Sequence, residues 1–148
     1  MMDLSKGIAV DAAHSQKNKL TEYQGIDLKT GERIFYQSLG NQTINIGEFL
    51  AIVEAAKWIN KNNYNPRVIY SDSMVAIKWF KSKRTASEVK CSQLQIAEIY
   101  LKTCYSYIDD IKVIHWDNKK WGETPADFGN KSGAKAIKCE KSGDMFLF

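Results

Sequence analysis

The chain has 148 residues, 44% of them hydrophobic and 26% charged, which suits one domain with its own core and excludes long disorder. No apolar run approaches the roughly 18 residues of a membrane-spanning helix, so no membrane association is expected. The net charge of +4, with a pI near 8.9, is compatible with a nucleic-acid partner without demonstrating one.

Residues 1–10 lack the apolar stretch of a secretory signal, so a cytoplasmic location is expected. Cys91, Cys104 and Cys139 are odd in number and widely spaced, which argues against disulfides and against a zinc site.

In chain order, Gly7–Val10 reads as a short buried strand closed by Asp11. Ala12–Lys19 reads as a polar loop, and Thr21–Asp27 as a second strand. Leu28–Gly31 carries turn chemistry, and the alternation over Glu32–Leu39 predicts a third strand, completing an antiparallel meander. A helical period then runs from Asn45 to about Asn60, and Asn62–Pro66 breaks it. Arg67–Ser71 reads as a buried strand ending at Asp72, followed by a helix through Phe80 and a basic connector, Lys81–Arg84. Glu88–Tyr107 predicts one long helix, Ile111–Trp116 a fifth strand, and Asp117–Glu123 a polar loop. Pro125 suits the first turn of a last helix reaching about Ala136, followed by a loosely held tail whose Met145–Phe148 segment could dock on the surface. The order β-β-β-α-β-α-α-β-α describes an α/β domain with a mixed five-stranded sheet and helices on both faces. The domain is expected over residues 1–136, with the tail over 137–148.

The chemistry lies in the acids. Asp11 and Asp72 each close a strand, where sites form in open α/β sheets. Glu48 heads a helical stripe with Ile52, Ala55 and Ile59, so its carboxylate is expected to face the sheet, partly buried. Asp127 lies in the first turn of the last helix, near Glu123. Clustered carboxylates repel one another, by roughly 4 kcal/mol per pair at about 4 Å and an effective dielectric of about 20, and hard divalent cations are the usual compensation. Each acid alone also fits a plainer role: Asp72-Ser73 as a helix cap, Asp127 as a partner of the helix dipole, Glu48 turned to solvent, Asp11 as a turn residue.

Read together, the motifs Val10-Asp11, Glu22–Asp27, Lys29–Glu32, Gly47–Val53, Tyr70–Ser73 with Ala76–Trp79, and Lys120–Glu123 with Ala126–Gly129 make the chain resemble ribonuclease H of type 1, over roughly residues 6–131. The likeness is greatest to the subgroup of bacilli and bacteroidetes. The resemblance implies the ribonuclease H-like sheet, with a meander of three strands and parallel fourth and fifth strands. It implies a metal-binding tetrad of Asp11, Glu48, Asp72 and Asp127. It also implies a role for Glu123 in managing the metal and product departure, where many family members carry a histidine at the position of Asp117. His14 and His115 remain structural or surface residues. Thr43 matches a phosphate contact and Asn45 a minor-groove reader, while Ser73, Trp79 and Asn118 belong to the expected substrate surface, Trp79 reading equally as core. The family's glycine-rich loop after the first aspartate is replaced by Ala12–Lys19, which has neither glycine nor proline. Lys17 and Lys19 there can add phosphate affinity without the 2′-hydroxyl discrimination that separates RNA from DNA.

The implied activity is endonucleolytic hydrolysis of the RNA strand of an RNA–DNA hybrid with two Mg²⁺ ions, Mn²⁺ substituting, leaving 5′-phosphate and 3′-hydroxyl ends. A monomer with no obligate protein partner and no separate hybrid-binding domain is expected. The alternatives are a non-catalytic nucleic-acid-binding module on the same fold, and a nuclease acting on duplex RNA or single strands.

Overall fold

The computed structural model of the chain describes residues 4–87 and 91–128. The elements are β1 (Ile8–Ser15), β2 (Leu20–Asp27), β3 (Arg33–Ser38), α1 (Ile44–Asn62), β4 (Val68–Ser71), α2 (Met74–Ser82), α3 (Ser92–Thr103), α4 (Tyr105–Ile108), β5 (Lys112–His115) and α5 (Asn118–Trp121). They build one five-stranded sheet in the order β3-β2-β1-β4-β5. β1 pairs antiparallel with β2, and β2 with β3, while β4 runs parallel to both β1 and β5. The expected mixed α/β sheet is therefore the observed one.

α1 is apolar nearly all round, and a helix of that kind is buried on more than one side. One side lies on β1 and β2, and the other meets α2, α3 and α4. Alternation along the strands sorts the sheet faces: Ile8, Val10 and Ala12 join the α1 core, whereas Ala9 turns to the opposite face and meets Ile26 and Ala126. α5 carries Trp121 into edge contacts with Tyr70 and Trp116, at centroid distances of 6.3 and 5.2 Å.

Several boundaries differ from the sequence expectation for local reasons. Residues 12–15 are not loop: they continue β1, paired with Leu20–Tyr23, and only 16–19 turn the chain. His14 Nδ1 and Thr21 Oγ1 lie 2.7 Å apart across this hairpin, a side-chain bond invisible to hydropathy. The single long helix expected over 88–107 is broken at Cys104, with 88–90 outside the described residues. Thr103 donates its hydroxyl to the Ile99 carbonyl at 2.8 Å, and such back-bonding competes with helix continuation. The polar loop expected at 117–123 contains α5, capped by Asp117 Oδ1, which accepts from the amides of Lys119 and Lys120. The last helix and the tail, and with them the proposed domain boundary at 136, fall outside the described residues, as does Cys139; within them, 124–128 forms a turn. Cys91 and Cys104 are free thiols. No described helix is long and apolar enough to cross a membrane.

Candidate metal centre

Parallel pairing of β1 and β4 ends at Ala9↔Tyr70, which sets Asp11 and Asp72 just beyond the last paired residues of neighbouring strands. Of the pair Asp72-Ser73, it is Ser73 that caps α2, accepting from the Ala76 amide at 3.1 Å. Asp72 is left to accept instead from Asn118 Nδ2 of α5 at 3.3 Å.

Glu48 arrives from the N-terminal part of α1, just past its first turn. Thr43 caps that helix, accepting from the Ile46 amide, and Gly47 brings it close to the sheet. A Cβ at Gly47 would stand 3.0 Å from Thr21 Cγ2 and 3.1 Å from Ala12 Cβ, so glycine here permits the close approach. Glu48, Ile52, Ala55 and Ile59 are all buried, as their spacing predicts. The result is a group of three acids, Asp11, Glu48 and Asp72, whose ligand oxygens all lie within 4.8 Å of one another.

The electrostatics of this group are severe. Burial first, then the charge of Asp72 and that of Asp127, push the Asp11 carboxyl up to about 8, against a bond from the Ala12 amide that favours its ionised form. Glu48 is pushed up to about 10 by burial and by the charges of Asp11 and Asp72, and its hydrogen bond to Asp11 favours the protonated acid. Glu48 Oε1 is buried without a hydrogen-bond partner. A buried, unpartnered carboxylate oxygen among carboxylates is costly, and hard cations take such an all-oxygen donor set. The donors present thus fit a divalent cation.

Asp127 lies outside the 4.8 Å group yet close enough for its charge to raise Asp11. Glu123 is exposed in the loop before it, where Trp116 Nε1 donates to the neighbouring Gly122 carbonyl at 2.8 Å. Of the expected substrate residues, Asn118 reaches the acids. Thr43 is exposed, and its hydroxyl is engaged in capping α1; Asn45 is half-buried one turn from Glu48. Trp79 is half-buried and packs edge-on against Phe49 at 5.9 Å, a core contact. His115 is exposed at the end of β5, and Lys17 and Lys19 are exposed in the β1–β2 turn. Sequence reasoning overlooked the role of Gln24, a fully buried polar residue on β2; the only signal was a polar side chain inside an otherwise buried strand.

No family model matches the chain. Among solved structures, it is similar to ribonuclease H1 from the halophilic archaeon Halobacterium salinarum, at 16% identity and a TM-score of 0.50, over 88% of this chain and 91% of that one. It is also similar to a ribonuclease H1 isolated from compost by a metagenomic approach, at 16% identity and a TM-score of 0.54, over 88% of this chain and 96% of that one. At such identity the likeness speaks to architecture, and the chain has the ribonuclease H-like fold.

Proposed function

We propose that the chain is a divalent-metal-dependent nuclease that hydrolyses the RNA strand of RNA–DNA hybrids, leaving 5′-phosphate and 3′-hydroxyl ends. The observation that carries this reading is the buried three-acid group, with an unpartnered Glu48 oxygen inside it, beyond the paired ends of two parallel strands. Asp11, Glu48, Asp72 and Asp127 would hold two Mg²⁺ ions, or Mn²⁺ in their place. Bound cations of this kind supply neutralisation of the scissile phosphate and acidification of water. Asp11, which groups with Glu48 and Asp72 and feels the charge of Asp127, would be a ligand common to the set. The Asp11–Glu48 pair must release its retained proton before both acids can act as ligands. Asn118 orients Asp72 and stands beside the exposed Lys119 and Lys120, which suit backbone phosphates. Thr43, Asn45, Ser73 and Trp79 would contribute to substrate contact, in addition to the capping by Thr43 and Ser73 and the packing of Trp79 on Phe49, and Glu123 to product departure. The sequence motifs, together with the fold, support the choice of hybrid as substrate.

Cleavage of a labelled hybrid with Mg²⁺, Mn²⁺ or EDTA, beside duplex RNA and duplex DNA, tests this. Metal-dependent cutting of the hybrid's RNA alone, abolished in Asp11→Asn, is expected. Wild-type rates in Asp11→Asn overturn the mechanism. Binding of hybrid without cutting indicates a binding module, and preferential cutting of duplex RNA a different substrate.

A further inference from the structure

We infer that Gln24 is a positioning residue for Asp127, holding the last acid of the site in place through a buried hydrogen-bond relay; this rests on the metal-centre reading above. Gln24 lies directly opposite Asp11 in the β1–β2 register and is fully buried. Its Nε2 donates to the carbonyl of Ala126, the residue before Asp127, at 2.6 Å. Its Oε1 accepts from Arg33 Nη1 on β3 at 3.0 Å. A guanidinium only donates, so it fixes which end of the amide faces it and turns the Nε2 end toward the carbonyl. Arg33 in turn lies over the Tyr36 ring at 5.0 Å, and that ring meets Phe128, the residue after Asp127, at 6.4 Å. Both neighbours of Asp127 are thereby tied to the meander.

There is a physical need for such a tie. Asp11, Glu48 and Asp72 sit on or directly beside regular elements, whereas Asp127 sits on a turn, held locally by its own amide bonding to the Thr124 carbonyl at 3.0 Å. An apolar side chain would pack at position 24 without the cost of burying an amide. The polar residue adds a bond across 102 residues of sequence to the segment that carries the acid.

Calorimetric titration with Mn²⁺, without nucleic acid, tests the inference on the wild type, Gln24→Met, Asp127→Asn and the double variant. Gln24→Met should weaken Mn²⁺ binding roughly tenfold, the usual scale for partners that orient ligands. In the Asp127→Asn background it should weaken binding no further, since a residue acting through Asp127 has nothing left to position. Unchanged binding in Gln24→Met, or an equal further loss in the double variant, overturns the inference. Should Gln24→Met fail to fold, Arg33→Met on the half-buried end of the relay decides, with a smaller loss expected and the same dependence on Asp127. A wild type that binds no Mn²⁺ overturns the metal-centre reading, and this inference with it.

Discussion

Glu48 shows how a single side chain can be unfavourable for the metal-free molecule and useful to its chemistry. Its raised carboxyl retains a proton at neutral pH, and that proton is shared in a hydrogen bond with Asp11. Glu48→Gln keeps a donor toward Asp11 while removing the second charge. Near pH 4, where Glu48 is protonated folded and unfolded alike, the metal-free variant should therefore match the wild type. Its advantage should grow as pH rises toward 9, to more than about 1 kcal/mol, or more than about 2–4 °C in Tm for a domain of this size. The variant should also lose most of the Mg²⁺-induced rise in Tm. Scanning calorimetry with and without Mg²⁺ at the two pH values checks this, and a destabilised variant at pH 9 contradicts it. The three acids at the strand ends and helix start were legible from sequence because alternation and helical period place them. Gln24 was not, because nothing in a strand's hydropathy says which distant carbonyl a buried amide will meet.

The element that matters most is the N-terminal part of α1, whose height above the sheet sets where Glu48 stands. Gly47→Ala would add about 1 kcal/mol of helix propensity. It would also place a methyl 3.0 Å from Thr21 Cγ2 and 3.1 Å from Ala12 Cβ. Neither neighbour can turn aside: Ala12 has no rotamer, and the Thr21 hydroxyl is tied to the Gln42 carbonyl and His14. The helix itself must lift, and overpacking of this kind costs about 1–3 kcal/mol. We expect a lower Tm and a higher Mg²⁺ concentration at half-maximal stabilisation. A raised Tm with an unchanged Mg²⁺ response would show that the close approach is immaterial. At this scale the strands and α1 were legible within a few residues. The break at Cys104 and the extension of β1 to Ser15 were not, since each depends on a side-chain bond rather than on pattern.

Across the whole molecule, Asp11, Glu48 and Glu54 have carboxyls raised to about 8, 10 and 7. Burial is the first cause for Glu54 as well, offset in part by the charge of Lys57. A carboxyl whose folded pKa exceeds its unfolded value binds more protons in the folded state. Its contribution to stability is full below the ordinary carboxylate range near 4 and is lost as pH rises through the folded value. Metal-free stability should thus fall from about pH 4.5 through pH 8 and onward toward 10. Saturating Mg²⁺ should reverse the share of Asp11 and Glu48, whose ionised forms it selects, and leave the share of Glu54. Urea unfolding at pH 5, 7 and 9, with Mg²⁺ or EDTA, measures both shares. A metal-free stability that rises over this range contradicts the account.

Periodicity and strand-end punctuation are local properties, so the amino-acid sequence by itself determined the succession of the five strands with α1 and α2, the mixed sheet and the acids at their ends. It could not decide that β1 and β4 are parallel neighbours, since strand pairing is settled by burial across the whole core. That pairing, with the close approach at Gly47, turns separated acids into one group within 4.8 Å. The tertiary structure alone likewise decided that Ser73 rather than Asp72 caps α2, freeing Asp72 for the site, and that Gln24 reaches Ala126. Each of these is a contact between distant segments, and its geometry exists only once the sheet and α1 have packed.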